Sequence, residues 1–225
     1  PPPPPPPPFF FLTHKRQYPI LSGLVGSEMC IRDSFIGGAA NLPSQLYINN
    51  NGKLKLSDSS GLNKHAKPEI TCCIFFDVDS DNDLDLVVGS GSNEFPIDDS
   101  AYIDQLYLND GKGKFVLSSN YKAPSKPTSS LSTIDINNDG NLDIIVGGSS
   151  VAGSYPLSEK TYVMLNKGNG NFVPIYNKSL NSTKLPNDIK VGDIDNDGNN
   201  EIIIACEWGP VRIYNCLLYT SPSPR

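Results

Sequence analysis

Three nonapeptides hold the residues with which this chain could do chemistry. They are Asp77-Val-Asp-Ser-Asp-Asn-Asp-Leu-Asp85, Asp135-Ile-Asn-Asn-Asp-Gly-Asn-Leu-Asp143 and Asp193-Ile-Asp-Asn-Asp-Gly-Asn-Asn-Glu201. They align without gaps, and each starts 58 residues after the one before, so they are a repeat. Side-chain oxygens at loop positions 1, 3 and 5, a backbone carbonyl at 7 and a carboxylate at 9 can surround one hard cation, for which Ca²⁺ is the best match. Gly140 and Gly198 at position 6 permit the sharp turn, and Asn82 is the next most tolerant residue of positive φ there. Like charges packed this closely repel, so a cation would be structural. The alternative reading is a solvated acidic turn.

The same spacing could open an EF-hand, which requires a bidentate Glu at position 12. Those positions are Val88, Val146 and Ile204. They fall within apolar, β-branched runs, Leu86-Val-Val-Gly89, Ile144-Ile-Val-Gly147 and Ile202-Ile-Ile-Ala205, which read as buried strands. The ninth-position acid therefore closes a loop between two strands. A shorter strand leads into each loop, as in Ile74-Phe-Phe76 and Ile189-Lys-Val191. Further strands end in Asn, as in Leu106-Tyr-Leu-Asn109, Val163-Met-Leu-Asn166 and Val211-Arg-Ile-Tyr-Asn215. Leu46-Tyr-Ile-Asn49 is an earlier copy whose unit lacks its beginning. Asn50-Asn-Gly52, Asp110-Gly-Lys-Gly113 and Lys167-Gly-Asn-Gly170 supply hairpin turns. No stretch keeps a helical period. The expected fold is all-β, a β-propeller fragment of about three four-stranded blades, because a twisted four-stranded unit buries its faces only against its neighbours.

Composition agrees with the middle of the chain and not with its ends. The 225 residues carry 18 Lys and Arg against 24 Asp and Glu, a formal charge of −6 that argues against a nucleic-acid binder. No run of apolar residues is long enough for a membrane-spanning helix. Pro1 to Pro8 followed by Phe9-Phe-Phe11 is what homopolymer DNA encodes; a Pro-rich recognition segment is the alternative. One nucleotide run can encode Cys216 to Arg225 and, reverse-complemented in another frame, Val25-Gly-Ser-Glu-Met-Cys-Ile-Arg-Asp33. It resembles a sequencing adapter, so residues 1–34 and 216–225 are read as artefactual and residues 35–215 as the native piece. That piece keeps Cys72, Cys73 and Cys206, an odd number that gives no disulfide framework. Adjacent Cys72 and Cys73 on a strand would point to opposite faces, which favours buried small side chains over a metal pair. A secretory signal would lie upstream of Phe35.

The Asp-x-Asp-x-Asp-Gly-x-x-Asp loop before an apolar strand, with Leu-Tyr-Leu-Asn-Asp-Gly-x-Gly-x-Phe downstream, resembles the FG-GAP/VCBS repeat of integrin α-type propellers. Ile74-Phe-Phe-Asp-Val-Asp79, Gly91-Ser-Asn-Glu-Phe95, Val146-Gly-Gly148, Tyr155-Pro-Leu-Ser158 and Glu207-Trp-Gly-Pro210 are more closely similar to bacterial secreted proteins related to cartilage acidic protein. There such repeats precede an ASPIC/UnbV domain, which is not visible here. The resemblance implies Ca²⁺ ligands Asp77, Asp79, Asp81, the Asp83 carbonyl and Asp85 in the first loop. In the second they are Asp135, Asn137, Asp139, the Asn141 carbonyl and Asp143. In the third they are Asp193, Asp195, Asp197, the Asn199 carbonyl and Glu201. Asn82 for Gly and Glu201 for Asp depart from the pattern.

Catalysis finds little support. His65 is the one native histidine and sits in a polar stretch, and no nucleophile elbow, P-loop or zinc-protease motif is present. Trp208, the sole tryptophan, is expected as a core or inter-blade anchor, with ligand contact as the alternative. The insertions Ser92 to Asp104, with Asp98 and Asp99, and Ser149 to Lys160 are where binding specificity would sit. Asn177-Lys-Ser179 and Asn181-Ser-Thr183 match glycosylation acceptors, meaningful only in a eukaryotic secretory setting. Two functions remain open. One is a non-enzymatic, extracellular or cell-surface Ca²⁺-binding module for a protein or glycan; the other is the accessory propeller of a larger secreted enzyme acting on polysaccharides.

Overall fold

Each apolar run of the repeat becomes an inner strand of an antiparallel meander. The computed structural model describes residues 33–50, 53–57, 60–62 and 67–215. The terminal segments before Asp33 and after Asn215, the tip of the Asn50-Asn-Gly52 turn and His65 lie outside the described residues. β1 (Asp33–Ile36), β2 (Gln45–Asn50) and β3 (Lys53–Leu56) form a three-stranded sheet. β4 (Glu69–Phe76), β5 (Asp85–Gly91), β6 (Gln105–Asn109) and β7 (Phe115–Leu117) form a four-stranded one. β8 (Thr128–Ile134), β9 (Asp143–Gly148), β10 (Tyr162–Asn166) and β11 (Phe172–Ile175) repeat it. β12 (Pro186–Gly192), β13 (Glu201–Cys206) and β14 (Arg212–Asn215) complete the fourth sheet, three-stranded among the described residues. Strand order follows chain order in every sheet, as expected of propeller blades.

β5 and β9 are buried along their whole length because their two sheets, the middle pair, are covered on both faces. Alternate side chains enter different cores, as the two-residue period of a strand requires. From β5, Leu86 and Val88 join Leu46, Tyr107 and Phe115 in the core against the first sheet, while Val87 joins Leu106, Leu131 and Met164 on the other side. From β9, Ile144 and Val146 face that second core, and Ile145 enters a third with Val163, Ile189, Ile202 and Ile204. Four sheets thus enclose three cores, and no sheet has a core of its own.

The repeat also carries an inter-sheet clasp. β4, β8 and β12 each bulge, at Thr71, Ser129 and Asn187. The Thr71 hydroxyl lies within hydrogen-bonding distance of Gly89 O in its own sheet, at 3.2 Å, and of Thr128 O in the next, at 2.6 Å. Ser129, 58 positions on, does the same with Gly147 O at 3.1 Å and with Pro186 O. Glycine is needed beside this clasp: a Cβ at Gly89 would lie 2.4 Å from Cys72 Sγ, and one at Gly147 2.5 Å from Ser130 Oγ.

Three details correct the sequence reading. Leu86 and Ile144 pair with Tyr107 and Met164, two residues before Asn109 and Asn166. Ile202 instead pairs with Tyr214, one residue before Asn215, so Asn215 faces Glu201 and is not the structural equivalent of the other two asparagines. Trp208 is 55% exposed and anchors no core, because it follows the end of β13 and is carried out of the sheet. Cys72 and Cys73 do point to opposite faces, but only Cys72 packs into a core; Cys73 is exposed.

Candidate metal centre

The three acidic loops join β4 to β5, β8 to β9 and β12 to β13, all at one end of the sheets. Their shape is set by hydrogen bonds to backbone N–H groups. The first residue of each loop accepts from the N–H of position 6: Asn82 to Asp77 Oδ2 at 3.1 Å, Gly140 to Asp135 Oδ2 at 2.9 Å and Gly198 to Asp193 Oδ2 at 3.0 Å. Position 6 is left-handed in all three, with φ of 71° at Asn82, 87° at Gly140 and 89° at Gly198. Position 4 is left-handed as well, at Ser80, Asn138 and Asn196, which the sequence reading did not anticipate. Asn at two of those positions was the available signal.

The ninth residue is the clamp. Asp85, Asp143 and Glu201 are all buried. Asp85 accepts from Val78 N at 2.9 Å and from Asn109 N at 2.9 Å; Asp143 accepts from Ile136 N at 3.0 Å and Asn166 N at 2.7 Å. Each carboxylate therefore ties its own loop to the strand that ends in Asn. Glu201 accepts from Ile194 N at 3.0 Å through Oε2 alone. Its Oε1 is buried and has no hydrogen-bond partner.

Acceptor oxygens converge in two of the loops. Asp77, Asp79 and Asp85 bring one carboxylate oxygen each within 4.8 Å of one another, and so do Asp193, Asp195 and Asp197. In the second loop the corresponding side chains engage each other: Asn137 Nδ2 donates to Asp139 Oδ2 at 2.9 Å, and Asp139 N donates to Asp135 Oδ1 and Asn137 Oδ1, both at 3.1 Å. Asp81 accepts from Asp83 N, Asp139 from Asn141 N and Asp197 from Asn199 N. The carbonyls at position 7 thus sit on a backbone already turned by the side chain at position 5.

Burial pushes the Asp79 and Asp83 carboxyls above the usual range, and the neighbouring aspartates push them the same way. Burial likewise raises Asp85 and Asp143, each to about 6, against their backbone donors. Asp139 is held lower by the N–H of Asn141 and the Asn137 amide. Asp79 Oδ1, Asp83 Oδ1 and Glu201 Oε1 are buried acceptors without a donor, the pattern left when anionic oxygens are arranged for a cation. The donor set is all hard oxygen, so the first and third loops could hold a hard cation and not a metal preferring nitrogen or sulfur.

The insertions place their acids elsewhere. Asp98 pairs with Lys126 at 2.7 Å and Asp99 with Lys67 at 2.7 Å. Asp104 is buried, where it accepts from Ser90 N and the Thr128 hydroxyl. Asp98 and Asp99 are thus engaged in surface ion pairs and Asp104 in the interior.

A repeated antiparallel sheet whose entry loop gathers acidic oxygens defines a class of β-repeat domain with possible metal-binding loops. The family model described as the FG-GAP-like repeat matches residues 77–146 and 151–204, more than half of the chain. The chain belongs to the FG-GAP-like repeat family. No curated protein matches it.

Proposed function

We propose that the chain is a non-enzymatic binding module of the extracellular space or cell surface, whose blade loops are held in shape by Ca²⁺. The observation that carries this reading is the convergence of carboxylate oxygens in the first and third loops, with buried acceptors left over. In the first loop Asp77, Asp79, Asp81, Asp85 and the Asp83 carbonyl would hold the ion. In the second the set is Asp135, Asn137, Asp139, Asp143 and the Asn141 carbonyl. In the third it is Asp193, Asp195, Asp197, Glu201 and the Asn199 carbonyl. A bound ion supplies positive charge against the repulsion within each loop. The chain's own residues do the rest: positions 1 and 5 turn the backbone, and position 9 ties it to the sheet.

An extracellular setting suits such loops, because millimolar Ca²⁺ there saturates exposed sites of modest affinity. Rigid sheets with insertions at the end opposite the metal loops suit a binding role. Calorimetric titration of chelator-treated protein with Ca²⁺ tests the reading. Up to three sites are expected, and Asp195→Ala should remove one. Absence of binding heat at millimolar Ca²⁺, or equal competition by Mg²⁺, would overturn it.

A further inference from the structure

Away from the metal loops, the β5–β6, β9–β10 and β13–β14 connections share the other end of the sheets. A cleft of about 80 Å³ opens there between the sheet of β8–β11 and that of β12–β14, and Ser129, Ser149, Tyr155, Asn187 and Glu207 line it. At its rim the Tyr155 hydroxyl donates to Glu207 Oε1 at 2.7 Å and accepts from Trp208 Nε1 at 3.2 Å. Tyr155 belongs to the β9–β10 connection, and its two partners lie 52 and 53 residues later, beyond β13. The trio is therefore assembled by the packing of two sheets. Tyr155 is 58% and Trp208 55% exposed, although rings of this size normally bury most of their surface.

The support beneath the trio is strained. Leu185 is left-handed, with φ of 49°, a conformation that strains a bulky non-glycine residue. It is held by its own N–H, which donates to Ser158 Oγ at 3.0 Å, and by its carbonyl, which accepts from Glu207 N at 2.8 Å. The strained residue thus fixes the backbone that presents Glu207 and Trp208. Strain maintained under an exposed polar and aromatic group is a mark of a functional site.

We propose that this cleft is a subsite for a neutral pyranose of a glycan, with Trp208 and Tyr155 as platforms and Glu207 as hydroxyl acceptor. The cleft is far smaller than the few hundred Å³ that enclose a cofactor or drug-sized ligand, so its ligand lies across the mouth. A pyranose offers one apolar C–H face for an aromatic ring and a rim of hydroxyls for polar groups. Here the two rings meet through their polar edges, and more than half of each residue stays exposed. No hydrogen bond from the described residues reaches Glu207 Oε2, and Asn187 is an exposed amide beside it. No Lys or Arg among the described residues lines the cleft, which favours uncharged sugars over acidic ones. The inference rests on the binding-module reading but not on the cation.

Trp208 is the chain's only tryptophan, so its emission reports the site directly. The full chain would be titrated with methyl α-mannopyranoside, methyl β-galactopyranoside, N-acetylglucosamine and cellotriose, with choline as a cationic control. Saturation-transfer NMR on the same sugars covers binding that leaves the emission unchanged. The expected result is saturable binding of at least one sugar, weakened at least tenfold in both Glu207→Gln and Tyr155→Phe. Both variants alter exposed side chains and should keep the wild-type melting temperature and Ca²⁺ response. Binding of choline with no sugar bound, sugar binding that survives both variants, or no binding by either method would overturn the subsite. An intact Ca²⁺ response in that last case would leave the cation reading standing.

Discussion

The side-chain amide of Asn166 donates to the carbonyl of Val78 at 3.2 Å, across 88 residues and from one sheet to the next. The Val78 N–H is in turn held by Asp85, and the Asn166 N–H by Asp143. The metal loop of one blade is therefore joined to the clamp of its neighbour through a single asparagine. Loop shape and inter-blade packing are coupled, so a change at either should be felt at both.

Asn166→Ala leaves the carbonyls of Val78 and Leu142 and the N–H of Gly168 without the partner they have now. The bond to Val78 is buried, so water does not readily replace it there, whereas Leu142 and Gly168 are open to solvent. A loss of about 1–3 kcal/mol per orphaned buried group sets the scale. Chemical denaturation should show a clearly lower unfolding midpoint, together with weaker Ca²⁺ binding by the first two loops. An unchanged midpoint would show that the link is dispensable.

The two kinds of glycine should separate cleanly. Gly140 has φ of 87° but open space around it, so Gly140→Ala meets only the conformational cost, about 1–2 kcal/mol. Gly147→Ala would place a methyl 2.5 Å from Ser130 Oγ in its own sheet and 3.0 Å from the Pro186 ring of the next. Thermal melts should show Gly147→Ala losing more than Gly140→Ala, and the reverse order would contradict the packing account.

Asp104 should give a pH dependence that is independent of the metal loops. Burial raises its carboxyl to about 7, well above the unfolded value, even though Ser90 N and the Thr128 hydroxyl donate to it. Between about pH 4 and pH 7 the folded state then binds more protons than the unfolded one. Its contribution to stability is present at low pH and is lost as pH rises through 7, by at most ~1.4 kcal/mol per pH unit. Asp104→Asn keeps the shape and removes the titration. Denaturation midpoints across that range should fall less steeply with pH in the variant than in the wild type, and identical slopes would contradict the assignment.

Much of this was legible in the sequence because the repeat is written in chemistry. Acids at fixed spacing, β-branched runs after them and Asn-Gly or Asp-Gly turns each demand one local structure, and all three agree on four-stranded antiparallel units. Position 6 was readable for the same reason, since glycine there has one conformational use. Trp208 was not, because an aromatic residue beside a strand end looks the same in sequence whether the chain turns it inward or outward. Asn215 misled by identity: the residue matches Asn109 and Asn166, but strand register is set by pairing across the sheet. The cleft with Tyr155 and Glu207 joins residues from two blades, and no local pattern encodes that meeting.

The central claim is that cations hold the blade loops, and thermal unfolding of the full chain in millimolar Ca²⁺ and in excess chelator tests it most directly. Each site occupied at a hundred times its dissociation constant should add about 2.7 kcal/mol by mass action. For a domain of this size, that is about 2–4 °C per kcal/mol. The account predicts a melting temperature higher in Ca²⁺ by several degrees for each occupied site, with little rise in Mg²⁺ and a smaller rise in Asp195→Ala. Superimposable melting curves in Ca²⁺ and chelator would contradict it.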